Sequence, residues 1–124
     1  MTYKLGNRSL QNLSGVHPDL VAVVKRAIET SEQDFTVLEG IRNINRQREL
    51  VKTGKSTTMN SRHLTGHAVD LAPWPISWEW EGFYPIADAM KAAAEELDVN
   101  LEWGGDWKSF PDGPHFQLSR KTYP

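Results

Sequence analysis

The chain has 124 residues, of which 39% are hydrophobic, a size and composition that suit one domain around one core. Fourteen Lys and Arg against sixteen Asp and Glu give a formal net charge of −2, which argues against a nucleic-acid binder resting on a basic surface. The absence of cysteine excludes disulfides, thiolate metal sites and a cysteine nucleophile, so any metal must be held by nitrogen and oxygen.

Residues 1–16 are polar and rich in Gly, Ser and Asn, with Leu5, Leu10 and Leu13 as anchors. They lack the apolar run of a signal peptide, and no stretch of the chain approaches the roughly 20 apolar residues of a membrane span. The expectation is a product made soluble in the cytoplasm, without stable membrane association, that something else must release if it acts elsewhere. VHPDLVAVVKRAIETS predicts a helix, with Pro18 at its first position, Asp19 at its positive end, and Leu20, Val24, Ala27 and Ile28 along one face. FTVLEGIR, 35–42, is rich in β-formers and predicts a strand. NRQRELVKTG, 45–54, predicts a short helix capped by Asn43 or Asn45 and stopped by Gly54, and KSTTMNS after it predicts a loop. HAVDLAP, 67–73, alternates as a strand does. A Trp/Pro-rich connection, 74–82, leads to FYPIADAMKAAAEELDV, a second long helix with Ile86, Met90, Ala93, Ala94 and Leu97 on one face. LEWGG and PHFQLS predict short strands on either side of the GDWKSFPDG loop. The pattern predicts an α+β fold, a small antiparallel sheet packed with two longer helices.

The chemistry concentrates in SRHLTGHAVDLAP, 61–73. His63 and His67 have the i, i+4 spacing of a helical zinc motif, but Leu64 stands where such a motif carries Glu, and Thr65–Gly66 is a poor helix. The better reading is a glycine turn into a strand, which lets His63 return beside Asp70. On that strand Asp70 shares a face with Ala68 and Ala72, leaving room around its carboxylate. A catalytic zinc site takes three protein ligands and an open position. His115, at the start of the last strand, offers the third donor, and Asp112 stands three residues before it. This assigns His63, Asp70 and His115 as ligands and Asp112 as general base, and leaves His67 in a structural role. On composition alone Asp112 also reads as a turn residue of PDGP, and His115 as a hydrogen-bonded strand histidine.

Together these residues resemble the zinc D-alanyl-D-alanine carboxypeptidase and L-alanyl-D-glutamate peptidase family, VanY-like, and specifically its phage endolysin branch. The family's Ser-x-His-x-x-Gly-x-Ala-x-Asp block is matched by Ser61, His63, Gly66, Ala68 and Asp70, and its acid-x-x-His block by Asp112 and His115. An upstream Gly-x-Arg with a following Gln is matched by Gly40, Arg42 and Gln47. Carboxypeptidase members often carry Glu as base and Trp before the second histidine; Asp112 and Pro114 here point to the endopeptidase branch.

The resemblance implies the hedgehog/DD-peptidase fold over residues 1–124 as a single zinc peptidase domain without a separate cell-wall-binding domain. It implies one Zn2+ on His63, Asp70 and His115, Asp112 as base, and Arg42 as contact to substrate or to the developing oxyanion. Ser61 is placed to hydrogen-bond the peptide or a side-chain carboxylate. Arg42 has an alternative as a surface ion pair with Glu39 or Glu49. The implied substrate is the peptidoglycan stem peptide, cut between L-Ala and D-Glu by a monomer. The protein would wait in the host cytoplasm until a holin-type partner admits it to the periplasmic wall. Of the five tryptophans, Trp103 is expected to anchor the core, and at least one of Trp78, Trp80 or Trp107 to line the cleft.

Overall fold

The computed structural model describes residues 2–56 and 58–124, so Thr57, in the expected 55–61 loop, lies outside the described residues. In chain order the elements are α1 (Asn7–Asn12), α2 (Pro18–Thr30), β1 (Phe35–Glu39), α3 (Ile44–Lys52), a 3-10 turn (Arg62–Thr65), β2 (Ala68–Pro73), α4 (Trp80–Glu96), β3 (Leu101–Trp103), a second 3-10 turn (Gly104–Asp106) and β4 (His115–Leu118). The strands form a four-stranded sheet in the order β1-β2-β4-β3, with every neighbouring pair antiparallel. No helix among the described residues is long and apolar enough to cross a membrane.

Strand alternation splits the sheet into two unlike faces. Val37, Leu71, Val69, Phe116, Leu118 and Trp103 are buried on one face, in a common core with Leu20, Val23, Val24 and Ala27 of α2 and Ile86, Met90, Ala93 and Ala94 of α4. Each fully buried side chain of the Leu or Ile type contributes about 1.5–3 kcal/mol of transfer free energy. The other face carries the rows Asp70–His115 and Ala68–Gln117–Glu102. The small alanines at 68 and 72 keep this face low around Asp70, as the sequence predicts.

The predicted helices and strands are present with shifted ends. Asn43 caps α3 by accepting the Arg46 amide at 2.8 Å, and Gly54 follows with φ +78°. The strand expected over 35–42 ends at Glu39, and the one expected from Leu101 ends at Trp103. The second long helix begins at Trp80, ahead of the expected Phe83, and Leu97 is an exposed C-cap rather than a core residue. Helix α1 was not expected. Its role is to cover the outer edge of β1: Ser9 Oγ accepts the Val37 amide at 3.0 Å, and Asn12 Nδ2 donates to the Val37 carbonyl at 2.8 Å. A bare strand edge is thereby closed.

The ladder between β1 and β2 slips by one residue. Val37 faces Leu71, but Glu39, not Leu38, faces Asp70. This bulge puts a carboxylate where regular alternation would place a leucine. The chain then turns at Gly40, where an added Cβ would lie 2.0 Å from the Asn12 carbonyl oxygen and 2.8 Å from Val16 Cγ2. Gly40→Ala is expected to lower stability by about 1–3 kcal/mol through this overlap, read as a fall in the thermal midpoint.

Candidate metal centre and catalytic cleft

His63 sits on the 3-10 turn, which Ser61 opens by accepting the His63 amide at 3.2 Å. Gly66 closes the turn at φ +75°, where a side chain would strain the backbone and a Cβ would come within 2.6 Å of the Gly15 carbonyl oxygen. The His63 ring is buried, with Nδ1 2.8 Å from the Gly40 carbonyl oxygen. A carbonyl can only accept, so Nδ1 carries the proton and Nε2 presents its lone pair, 3.3 Å from Asp70 Oδ1. His115 lies opposite Asp70 on β4 and uses its nitrogens the other way round. Its Nε2 donates to Gln117 Oε1 at 2.8 Å, and its Nδ1 faces the same Asp70 Oδ1 at 3.3 Å.

The ligand atoms of His63, Asp70 and His115 all lie within 4.8 Å of one another. Two imidazole lone pairs and a carboxylate oxygen aimed at one point repel each other unless a proton or a cation sits between them. Each ring's second nitrogen is tied off elsewhere, which is how ligating histidines are oriented. A nitrogen, nitrogen and oxygen donor set fits a divalent metal of zinc's preferences. The other oxygen, Asp70 Oδ2, lies 3.7 Å from Arg42 Nη2.

The protonation states agree with this design. Burial opposes the charge on Asp70, but hydrogen bonds and charge from His115 and His63 outweigh it and hold the carboxyl well below its usual range. Burial opposes a proton on His115, but Asp70, Gln117 and the Asp112 charge raise its pKa above the usual histidine value. A metal bound there displaces that proton, so uptake weakens as pH falls. Gln117→Ala, which frees Nε2, is expected to weaken metal affinity about 10–100-fold in a competition titration against a chelator.

Asp112 hangs over the centre from the loop before β4. Its amide donates to the Gly104 carbonyl at 2.9 Å, and Trp103 Nε1 donates to the Gly113 carbonyl at 2.7 Å. The residue keeps one side open to solvent, yet partial burial of its carboxyl and the charge of Asp70 raise its pKa. Arg42 is half-buried and makes the Glu39 ion pair of its alternative reading: Nε donates to Glu39 Oε1 at 2.6 Å and Nη1 to Gln47 Oε1 at 2.7 Å, while the side chain lines the cleft. Glu49 faces Arg46 instead, at 3.8 Å. Gln47 is fully buried and also donates to Ser56 Oγ at 2.8 Å and the Thr58 carbonyl at 2.5 Å, so it ties Arg42 to the following loop.

Ser61, Arg42, His63, Asp70, Asp112 and His115 line one open cleft of about 790 Å³. Its walls carry five cations, Arg42, Arg46, Lys55, Arg62 and Arg120, against three acids, Glu39, Asp70 and Asp112. Trp107 lines it too, its ring 5.1 Å from that of His115, whereas Trp78 and Trp80 are not among the lining residues. Trp103 is buried, as expected. His67 stays apart, with Nδ1 2.6 Å from Thr65 Oγ1 and its ring 5.5 Å from that of His17.

The residues missed from sequence are those that orient the others. Gln117 stands two positions after His115, and strand period alone places it on the same face. The Gly40 carbonyl has no side-chain signal at all. Arg62, beside His63, is buried, and among the described residues it has no carboxylate partner: Nη2 donates to the carbonyls of Leu118, at 3.2 Å, and Tyr123, while Nε has no partner there. Tyr123 in turn donates its hydroxyl to Asp19 Oδ2 at 2.8 Å.

A family model described as phage L-alanyl-D-glutamate peptidase matches residues 1–123. The L-alanyl-D-glutamate peptidase of Escherichia phage T5 is 35% identical over 130 residues, covering 99% of this chain and 94% of that protein. The crystal structure of the L-Ala D-Glu endopeptidase ChiX of Serratia marcescens matches with a TM-score of 0.93 at 50% identity, over 100% of this chain and 94% of that one. The vancomycin-resistance D,D-dipeptidase VanXYg matches with a TM-score of 0.55 at 17% identity, over 83% and 50% of the two chains, a likeness of fold alone.

Proposed function

The chain belongs to the phage L-alanyl-D-glutamate peptidase family, and from that premise we propose that it is a zinc-dependent peptidoglycan endopeptidase cutting the L-alanyl-D-glutamate bond of the stem peptide. The observation that carries the chemistry is the meeting of His63 Nε2, His115 Nδ1 and an Asp70 oxygen around one point. Three protein ligands leave the open position that a catalytic zinc needs and a structural zinc does not. Bound there, zinc supplies a Lewis acid for the scissile carbonyl and lowers the pKa of water to about 7.

The protein's own groups do the rest. Asp112, in its ionised form, accepts the proton of the attacking water and delivers it to the departing glutamate nitrogen. Its raised pKa makes it a better proton acceptor than an ordinary aspartate. Arg42 is held rigid by Glu39 and Gln47, so its remaining donors meet the tetrahedral oxyanion or a substrate carboxylate without reorganisation. Ser61 holds the turn of His63 with its acceptor side, and its hydroxyl proton, which has no acceptor among the described residues, is left for the peptide.

Residues 1–124 act as one catalytic unit and as a monomer in this proposal. The protein collects in the host cytoplasm, and a holin-type partner lets it reach the wall. The test is digestion of purified muropeptides by chelated and zinc-restored protein, read by mass spectrometry. A newly freed D-Glu amino terminus only with zinc is the expected result. Release of D-Ala instead identifies a carboxypeptidase, and wall binding without hydrolysis identifies a binding module.

A further inference from the structure

We propose that the cleft has a direction, and that its Trp107–Pro111 wall is the subsite for the N-acylated aminosugar from which the stem peptide hangs, with Phe110 as the contact residue. This rests on the L-alanyl-D-glutamate reading above. Cleavage at that bond fixes where the sugar must be. The alanine amine is acylated by the lactyl arm of the sugar, so the ring lies about two residue lengths, roughly 7 Å, from the scissile carbonyl. A sugar that close must meet a wall of the cleft.

The walls differ in chemistry. The 107–112 segment contributes Trp107, Phe110, Pro111 and Asp112 to the cleft and no cation, while the five cations come from other segments. The two halves of the substrate differ in the same way. On the glutamate side lie the free glutamate carboxylate and the carboxylates of later residues, which call for guanidinium and ammonium donors. On the alanine side lies a neutral ring with apolar C–H faces, which calls for aromatic surface.

Phe110 has no structural reason to be where it is. It is 76% exposed, the most exposed of the large hydrophobic side chains among the described residues. Its backbone sits at φ +52°, a region that strains a bulky residue. Neither packing nor local preference accounts for an aromatic ring held into water on an unfavourable backbone, and such outliers gather where a ligand is met. Trp107, against the ring of His115, continues the same wall down to the metal centre.

The test compares two substrates of the zinc-loaded protein with the same peptide, one carrying N-acetylmuramic acid on the alanine nitrogen and one carrying an acetyl group. The parent should prefer the sugar-bearing substrate by about tenfold in kcat/KM, chiefly through KM. Phe110→Gly should erase that preference, leave hydrolysis of the acetyl peptide unchanged and melt no lower, because glycine accepts φ +52°. Phe110→Tyr should keep the preference. Binding of N-acetylmuramoyl-L-alanine, followed in both proteins by the indole resonances of Trp107, should weaken about tenfold in Phe110→Gly. A parent that treats both substrates alike, a glycine variant that slows both equally, or product binding that the variant leaves unchanged overturns the subsite. Protein that cuts neither substrate overturns the peptidase activity itself, and the subsite with it, so the two failures are told apart.

Discussion

Asp112→Asn is expected to keep its metal and to lose about 10²–10⁴-fold in kcat. The carboxyl is outside the ligand group of His63, Asp70 and His115, so the ligand set survives the change. The amide keeps the size and the backbone bonds to Gly104 and His115 that place the loop, and loses only the ability to take a proton. The parent's pH profile carries the same signature. Activity needs the ionised carboxylate, so it should fall on the acid side; in the metal-free protein burial and Asp70 raise that carboxyl's pKa above the ordinary aspartate value.

The same shift has a consequence for stability. A carboxyl whose folded pKa is raised binds its proton more tightly in the fold, so stability falls as pH rises from the unfolded pKa through the folded one. Above the folded pKa the ionised Asp112 therefore opposes folding, and there metal-free Asp112→Asn should melt no lower than the parent. Metal content by mass spectrometry, turnover and melting together check the assignment; a variant that hydrolyses wall at the parent rate removes Asp112 as base.

His63→Ala is expected to lose the metal and with it all measurable hydrolysis. Two ligands remain, and the ring that supplied Nε2 is also the donor to the Gly40 carbonyl. Leaving that buried acceptor unpaired costs about 1–3 kcal/mol, and the vacated volume of a ring only 2% exposed adds a cavity. A lower melting temperature therefore accompanies the loss. Asp70→Asn separates the two effects, since it keeps the volume and removes only the charge that both histidines face. If desalted His63→Ala retains one zinc per chain, the centre is wrongly placed.

Both variants concern residues legible in the sequence alone, and the reason is physical. Alternation of Ala68, Asp70 and Ala72 with Val69 and Leu71 announces a strand with one polar face, and Pro18 with Asp19 announces the start of α2. Helix α1 leaves no such mark. NRSLQN is six residues long and has no amphipathic repeat, and it is held by Ser9 and Asn12 against the edge of β1, a tertiary cause that local pattern does not contain. The start of α4 is hidden by Gly82, which lowers helix propensity, and by Trp80, which reads as part of the Trp/Pro-rich connection before it. The bulge at Leu38 and Glu39 is equally silent, because it depends on the partner strand. The three residues that meet at the candidate metal centre are thus readable, while the groups that select which nitrogen each histidine offers are not.

Arg62 makes the far end of the chain a mooring line for the metal centre. Its guanidinium holds the carbonyls of Leu118 and Tyr123, and its own backbone is adjacent to His63. A disturbance of residues 118–123 therefore reaches the His63 backbone through Arg62 as the one intervening residue.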